Sequence, residues 1–404
     1  MRVDTVIVGA GHAGLAVSRL LADAGHEHVV LERGCVGESW RSQRWDSFRL
    51  NTPHWMSRLP LDEGVHGDPD CFAHRDETVD WLERHAFGLP VRTGVTVEAV
   101  GAGHGSRYTV VTTSGVYGTE NVVVASGAQN VPRVPEFASR LPDSLQQLHV
   151  ADYRSPDRVA SGPVLVVGGA QSGAQVAEEL AAAGREVYLS TSRVGRITRR
   201  YRGRDMLAWW QDMGVWDHRP DDPGIERGSP PLVSGTRGGH TLSLQQLARE
   251  GVTILGRLTG VRGTRLVFAD DADRNARHGN EIAARWRRRI DEHIARTRAH
   301  AAAPEPDPAD EPGTLGRSEG PAEVAAVIWC TGFRGDFGYL RLPVLDADGN
   351  LVHRGGATAA PGLFAIGLPW LRARKSGIIW GAREDADAVA GAISASAARR
   401  AVRA

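Results

Sequence analysis

The sequence predicts an α/β fold with two similar domains, the second inserted into the first. A short apolar strand at residues 5–8 leads into a glycine-rich turn at residues 9–14, and a helical stretch and a second apolar strand follow. The same order of elements returns around a second glycine-rich turn at residues 168–173. This order forms the βαβ unit of Rossmann-like dinucleotide-binding domains. A chain of 404 residues is long enough for two of them.

The first turn has the spacing Gly9-x-Gly11-x-x-Gly14, and the second strand of its unit ends at Glu32. A glycine at position 11 lets the backbone approach a pyrophosphate, whose charge the N-terminus of the following helix stabilises. A carboxylate at the end of the second strand can accept hydrogen bonds from an adenosine ribose. The N-terminal unit therefore predicts a dinucleotide site.

The second turn keeps its outer glycines but has Ala170 in the middle. Its second strand ends at Ser190 instead of an acid, and Arg193 follows shortly after. A 2′-phosphate can bind beside an arginine where no carboxylate repels it, which favours NADPH over NADH. Arg199 and Arg200 are further candidates for the same phosphate.

Two dinucleotide sites on one chain indicate hydride transfer from a nicotinamide to a flavin. We expect FAD at the N-terminal site and NADPH at the inserted one. A disulfide reductase is disfavoured because Cys35, Cys71 and Cys330 are far apart and form no Cys-x-x-Cys pair.

The composition excludes several other classes of protein. Basic and acidic side chains balance at 48 each, and Lys375 is the only lysine. The chain therefore has neither the basic excess of a general nucleic-acid binder nor the lysine of a P-loop. The sequence shows no signal peptide, no apolar run of membrane-spanning length and no metal-ligand constellation. We expect a cytoplasmic protein that binds neither nucleic acid nor metal and does not insert into a membrane.

Several motifs carry a family resemblance and cover essentially the whole chain. They are the two glycine-rich turns and the segments 37–41 (Gly-Glu-Ser-Trp-Arg), 49–53 (Arg-Leu-Asn-Thr-Pro), 125–127 (Ala-Ser-Gly), 149–154 (His-Val-Ala-Asp-Tyr-Arg) and 330–333 (Cys-Thr-Gly-Phe). In this order they resemble the class B flavoprotein monooxygenases, which include flavin-containing monooxygenases, plant indole-pyruvate monooxygenases and a bacterial flavoprotein group labelled as related to cation transport.

The family's identifying sequence, F-x-G-x-x-x-H-x-x-x-[YF], is only partly kept. His149 and Tyr153 match it, whereas Asp143 and Leu145 replace its aromatic residue and its glycine. Tyr153 followed by Arg154 is similar to the branch that oxidises heteroatoms. We interpret His149 as a ring that hydrogen-bonds at the junction between the domains, not as a general base.

The resemblance implies an NADPH- and FAD-dependent monooxygenase that forms a C4a-(hydro)peroxyflavin and oxygenates a small organic molecule with O2, at nitrogen or sulfur. By its match to the family's N-x-P-like segment, Asn51 is the candidate catalytic residue near that intermediate. The motifs and the resemblance together give these cofactor-binding candidates: Gly9, Gly11, His12, Ala13, Gly14, Glu32, Arg33, Gly37, Trp40, Arg41, Val97, Ser126, Gly127, Gly168, Gln171, Ser172, Gly173, Ser192, Arg193, Thr331 and Gly332.

Three alternatives remain open at this point. One is an NADPH oxidase or dehydrogenase that passes electrons to another acceptor. A second is a Baeyer–Villiger oxygenase. The third is a non-catalytic flavoprotein regulator, whose partner surface would be the arginine-rich segment 282–298. The sequence leaves the oligomeric state open, with a homodimer as one possibility.

The predicted domain limits follow from these motifs. Residues 1–157 and 322–404 form the FAD-binding domain, and residues 158–321 form the NADPH-binding domain, with a flexible surface loop at 304–321. A long arginine-rich helix is expected within residues 269–303, with Trp286 and Ile290 turned inward. Two further interpretations concern individual side chains. The region of Trp209, Trp210, Trp216 and His218 either shapes a substrate entrance or buries its aromatic rings against neighbouring loops, and Lys375 is expected at the surface.

Overall fold

The computed structural model describes residues 1–62, 67–225, 230–263, 265–315, 320–321 and 323–403. The strands are β1 (Arg2–Val8), β2 (His28–Leu31), β3 (Val91–Arg92), β4 (Val97–Ala102), β5 (Tyr108–Thr112), β6 (Gly115–Val124), β7 (Val131–Pro132), β8 (Gln146–His149), β9 (Val164–Val167), β10 (Val187–Ser190), β11 (Arg200–Tyr201), β12 (Arg204–Asp205), β13 (Thr253–Leu255), β14 (Leu258–Arg262), β15 (Arg265–Phe268), β16 (Ala326–Trp329), β17 (Phe333–Arg334) and β18 (Leu363–Ala365). The helices are α1 (His12–Asp23), α2 (Glu38–Ser42), α3 (Arg75–Ala86), α4 (Gln171–Ala182), α5 (Met206–Asp212), α6 (Leu244–Arg249), α7 (Ala272–Thr297) and α8 (Ile379–Arg403).

The first sheet has the strand order β3-β2-β1-β6-β5-β4, with β18 added to β6. Strands β3, β2, β1, β6 and β18 run parallel to their neighbours in one layer. Strands β4 and β5 join β6 as an antiparallel meander. The central strands are apolar on both faces because both faces are covered. Helices α1, α3 and α8 pack on one face, and residues of the non-helical segment 337–371 pack on the other. Strand His28–Leu31 is buried throughout.

The second sheet is parallel throughout, in the order β13-β10-β9-β16-β8. It draws β8 and β16 from chain segments on either side of the predicted insertion 158–321. The α/β fold with two dinucleotide-binding domains is confirmed. The domain limits stay a prediction, and residue 322, the predicted start of the second FAD-domain segment, lies outside the described residues.

The arginine-rich helix α7 packs on the second domain. Ile290 is fully buried, and Trp286 contacts the same apolar cluster, so both side chains turn inward as expected. The following loop was expected to be flexible, but its described part, 304–315, packs on the domain. Asp310 there forms ion pairs with Arg196 and Arg287. Residues 316–319 of the loop lie outside the described residues.

None of the described helices is both long enough and apolar enough to cross a bilayer.

Candidate functional site: two glycine-rich turns and their junction

The first turn combines close packing with one open position. Gly9 has φ 108°, in the region that glycine favours. A methyl group added at Gly14 would lie 2.0 Å from the Gly9 carbonyl oxygen, so both outer glycines are required by backbone contacts. A methyl group at Gly11 would meet no described atom within 4 Å. The turn is therefore open at the position where a pyrophosphate is expected.

Glu32 is held beside this turn by backbone amides. It is buried, and its two carboxylate oxygens accept hydrogen bonds from Ala10 N (2.8 Å) and Gly34 N (2.9 Å). Gly37, at φ 69°, donates its N–H to the Ala10 carbonyl at 3.1 Å. The segments that follow β2 are thus tied to the turn, with the carboxylate fixed at the end of the strand.

His12 lies at the start of α1, next to the open position. Burial lowers its pKa to about 4, so the ring is neutral near pH 7. Its Nε2 is buried and has no hydrogen-bond partner among the described residues. Gly11, the N-cap of α1, makes no side-chain capping bond, so the helix amides remain available to an anion. These features fit a dinucleotide bound at this turn.

The other predicted residues of the first site lie in different environments. Ser126 shares a hydrogen bond of 3.1 Å with the Tyr339 hydroxyl. The predicted cofactor contacts Trp40, Val97 and Ala13 are half-buried or buried, and Gly127 has φ 79°. Arg33 is exposed, and Arg41 is paired with Glu83 on the surface.

The second turn repeats the packing of the first. A methyl group at Gly173 would lie 1.8 Å from the Gly168 carbonyl oxygen, and one at Gly168 would lie 2.4 Å from the Cys330 carbonyl oxygen. Cys330 and Ala125 follow equivalent strands, since Cys330 N donates to Val167 O and Ala125 N to Val8 O. The segments 125–127 and 330–332 are therefore equivalent, and Gly332, like its counterpart, has positive φ.

The register of the strands corrects one detail of the sequence comparison. Gly9 N donates to Leu31 O, and Gly168 N donates to Ser190 O. Ser190 is therefore the counterpart of Leu31, and Thr191, not Ser190, takes the place of Glu32. The Ser190 hydroxyl points away from the turn and donates to Gly256 O at 3.0 Å. The second unit still has no acid at this position.

Three predicted residues of the second site have known contacts. Arg193 is exposed, and its Nη2 lies 3.4 Å from Nδ1 of His278 on α7. The Gln171 amide makes two hydrogen bonds to the Val233 backbone, and the Thr331 hydroxyl donates to the Arg133 carbonyl. Their side chains are thus engaged within the protein. Ser172 and Ser192 are half-buried.

Arg199 lies away from the exposed surface where a phosphate would reach it. It is 1% exposed, forms an ion pair with Asp205 at 2.7 Å and lies 4.3 Å from the centre of the Phe72 ring. Its Nη1 donates to the Asn51 carbonyl at 2.7 Å. Arg199 therefore lies at the junction between the domains. The residues next to it in sequence do not predict this position.

One face of α4 forms much of that junction. Gln175 Nε2 donates to Asn51 Oδ1 at 2.9 Å. One turn later, Glu179 accepts hydrogen bonds from the hydroxyls of Tyr153 (2.8 Å) and Ser47 (2.5 Å). Burial raises the pKa of the Glu179 carboxyl. Residues four positions apart on a helix share a face, so these contacts line up along one side of α4.

His149 bonds where the interpretation from sequence places it. Its Nε2 donates to Gly332 O at 3.1 Å, its Nδ1 accepts from Ala151 N at 3.2 Å, and its ring packs edge-on against Phe333. Burial lowers its pKa, so the ring is neutral and both nitrogens are used. These contacts give His149 a structural role: its ring links residues 149–151 to Gly332 and Phe333.

The structure decides between the two alternatives for the tryptophans and contradicts the surface position expected for Lys375. Trp209, Trp210 and Trp216 are at least 93% buried within an apolar cluster, so they are core residues and do not form an entrance. Lys375 is also buried, because its ammonium pairs with Asp217 and Glu384 at 2.6 Å each. Both results have one cause, since the C-terminal segment that carries Lys375 and Trp380 covers this part of the second domain.

Comparisons with known proteins agree with this arrangement. A family profile described as pyridine nucleotide-disulphide oxidoreductase matches residues 6–204. An uncharacterized CzcO-like oxidoreductase of Geobacillus kaustophilus is 30% identical over 394 residues, covering 95% of this chain and 96% of that protein. The indole-3-pyruvate monooxygenase YUCCA4 of Oryza sativa subsp. japonica is 37% identical over 194 residues, 43% of this chain and 44% of the relative.

Two solved structures share the fold. A flavin-containing monooxygenase from Stenotrophomonas maltophilia has a TM-score of 0.69 and 20% identity, over 98% of this chain and 99% of that one. An oxidized steroid monooxygenase bound to NADP has a TM-score of 0.62 and 17% identity, over 99% of this chain and 86% of that one.

The fold and its two turns define an oxidoreductase that holds two dinucleotides. The full-length relative places it further: the chain belongs to the CzcO-like oxidoreductases. It is similar to flavin monooxygenases in sequence over less than half of its length and in fold over nearly all of it. Its three cysteines are all free, so the disulfide chemistry in the profile's description has no cysteine pair here.

Proposed function

We propose that the first turn binds FAD, that the second binds NADPH, and that the protein uses O2 to oxygenate a small organic molecule. The observation that carries the proposal is the duplicated turn with one changed position. Glu32 follows the second strand at the first site, and Thr191 stands there at the second. A carboxylate suits the ribose of FAD, whereas its absence leaves room for a 2′-phosphate, with Arg193 nearby to bind it.

A bound flavin, reduced by NADPH, would supply the oxygen activation by which one atom of O2 enters a nitrogen or sulfur centre and the other leaves as water. The residues of this chain have to position the two cofactors and keep water from the reacting atoms. The junction between the sheets has buried polar groups suited to this task, including Gln175 and Tyr153, which are at most 4% exposed. Asn51 lies there, and we assign its carboxamide to the side of the flavin where oxygen reacts.

The test is oxidation of the NADPH-reduced protein, followed by stopped-flow absorbance. Purified protein should be yellow, consume O2 with NADPH and give a long-lived species that absorbs in the near ultraviolet. Product analysis with small amines and thioethers then identifies the atom oxidised. Protein that cannot be reconstituted with FAD would refute the proposal. Conversion of all NADPH electrons to H2O2 with every substrate offered would instead identify an oxidase, and esters formed from ketones would identify a Baeyer–Villiger oxygenase.

A further inference from the structure

Asn51 belongs by sequence to the first domain, but residues of the second domain hold it. Its side-chain Oδ1 accepts from Gln175 Nε2 at 2.9 Å, and its main-chain carbonyl accepts from Arg199 Nη1 at 2.7 Å. Gln175 lies on α4 and is 4% exposed, and Arg199 follows β10 and is 1% exposed. Both anchors are therefore buried, where hydrogen bonds are geometrically well defined and costly to leave unmade.

The contact with Gln175 also fixes which end of the Asn51 amide is occupied. An amide group has an acceptor oxygen and a donor nitrogen. The oxygen of Asn51 is used by Gln175, and no hydrogen bond within the described part of the chain involves Asn51 Nδ2. The nitrogen is thus the end that remains to donate to a ligand.

We propose that Gln175 is a positioning residue that orients the Asn51 carboxamide, so that Asn51 is set for oxygen chemistry only when the second domain is docked. The inference rests on the proposed function, because it needs Asn51 beside the reacting oxygen. It adds that α4 links the second glycine-rich turn to Asn51, because the same helix carries the turn and Gln175. The N-terminus of α4 is the second glycine-rich turn, and Gln175 lies one turn along the same helix.

The experiment measures how fast the near-ultraviolet species decays after the NADPH-reduced holoenzyme is mixed with O2, at saturating NADP⁺ and without substrate. Asn51→Ala removes the donor and should speed the decay about 100-fold. Gln175→Leu keeps the Asn51 side-chain nitrogen as a donor but removes the hydrogen bond that orients the Asn51 carboxamide. This variant should speed the decay about tenfold. Gln175→Met is the second variant and should match Gln175→Leu. In the double variant N51A/Q175L, the rate should equal that of N51A, since Gln175 acts through Asn51.

The matched control is Gln245→Leu, which breaks another buried amide pair in the same domain, Gln245 with Asn280 at 2.8 Å. Gln245→Leu should change the free energy of unfolding in urea about as much as Gln175→Leu does. It should leave the decay rate of the near-ultraviolet species unchanged. Hydrogen exchange gives a readout independent of turnover. Amides of residues 48–56 should exchange at least about threefold faster in Gln175→Leu, with strand β9 unchanged.

The outcomes separate the two levels of inference. Unchanged decay in Asn51→Ala would overturn the part assigned to Asn51 in the proposed function, and with it the part assigned to Gln175. Faster decay in Asn51→Ala together with unchanged decay in Gln175→Leu would overturn only the inference about Gln175. Additive effects in N51A/Q175L would also overturn it, because they would show that Gln175 acts by another route.

Discussion

The two glycine-rich turns are built alike and differ at the points where ligands would meet them. In both, the third glycine packs on the carbonyl of the first, and a strand-end residue, Ala125 or Cys330, closes the turn from the other side. The first turn has an open glycine and a nearby carboxylate. The second has Ala170 and Thr191 at those two places. Packing is therefore shared between the turns, and the proposed difference in ligand rests on Thr191 in place of Glu32.

The helices that follow the turns differ as well. The buried residues of α1 are small or aliphatic apart from Ser18. The buried residues of α4 include Gln175 and Glu178, and Glu179 beside them is half-buried. The first helix thus packs on its own sheet, whereas the second also carries the polar contacts of the junction. The two units therefore share their fold, and the helix of the second unit adds the polar contacts of Gln175 and Glu179 to the junction.

The largest effect is expected where the turns are the same. Gly14→Ala places a methyl group 2.0 Å from a backbone oxygen, which only backbone movement can relieve. We expect a loss of about 4 kcal/mol or more in unfolding free energy, and protein that purifies without flavin. Gly173→Ala should be equally destabilising. Urea unfolding and the visible spectrum measure both effects, and normal stability in either variant would contradict the shared packing.

The second largest effect, a change in nucleotide preference, is expected at the position where the two turns differ. Thr191→Glu places at the second turn the carboxylate that the first turn already has. A carboxylate repels a 2′-phosphate and accepts a ribose hydroxyl, so the ratio of NADPH to NADH affinity should fall about 100-fold. Titration of both nucleotides against the reduction rate measures the ratio. Thr191→Val is the control without charge. An unchanged ratio of NADPH to NADH affinity in Thr191→Glu would show that residue 191 does not contact the ribose or its 2′-phosphate.

A smaller effect is expected for the exposed arginine of the second site. Arg193→Ala should weaken NADPH about tenfold and leave NADH nearly unchanged, because only NADPH carries the phosphate. Arg257, another exposed arginine of this domain, provides the control Arg257→Ala. Equal losses for the two nucleotides would withdraw the assignment of Arg193 to the 2′-phosphate.

A pH effect should distinguish α4 from α1. Burial lowers the pKa of His240, but the 2.7 Å hydrogen bond to Glu178, the charge of Glu178 and the bond to the Thr236 carbonyl together outweigh burial, and the pKa is raised. The stabilisation is therefore complete below the pKa of unfolded histidine and is lost as pH rises through the raised one. His240→Gln should cost less than about 1 kcal/mol, given the partial exposure, and only on the acidic side. Unfolding curves from pH 5 to 9 test this, and a pH-independent difference would refute it.

The smallest effect is expected for Glu179→Gln. The amide oxygen still accepts from Tyr153, and the neutral side chain avoids the cost of burying a charge, so stability should change by less than about 0.5 kcal/mol. Because the pKa of Glu179 is raised, the wild type loses stability as pH rises through it, and the variant should not. Glu179→Leu leaves the Tyr153 hydroxyl unpaired and should cost about 1–3 kcal/mol. Thermal unfolding compares the pair, and equal losses would show that packing alone matters here.

The sequence predicts the turns well because their spacing is local. Gly9, Gly14 and Glu32 can be assigned from one βαβ pattern, and the structure brings them together. The junction depends on segments far apart in sequence, and no local pattern pairs Gln175 with Asn51. Arginine type alone is also uninformative in a chain with a single lysine, so the sequence predicts a phosphate contact for Arg199, whose side chain is buried and paired with Asp205.

The two sheets differ in when their strands become available during synthesis. Every strand of the second sheet has been made once residue 329 has been translated. The first sheet still lacks β18, and α1 lacks its neighbour α8, until residues 363–403 emerge from the ribosome. Arg400 then closes onto Asp4 at 2.7 Å. Domains fold as units during translation, so the second sheet can form on the nascent chain, whereas the tryptophan cluster of this domain still lacks Ile378 and Trp380. The site assigned to FAD therefore gains its last neighbours only after residues 363–403 have been synthesised, later than the strands of the second sheet.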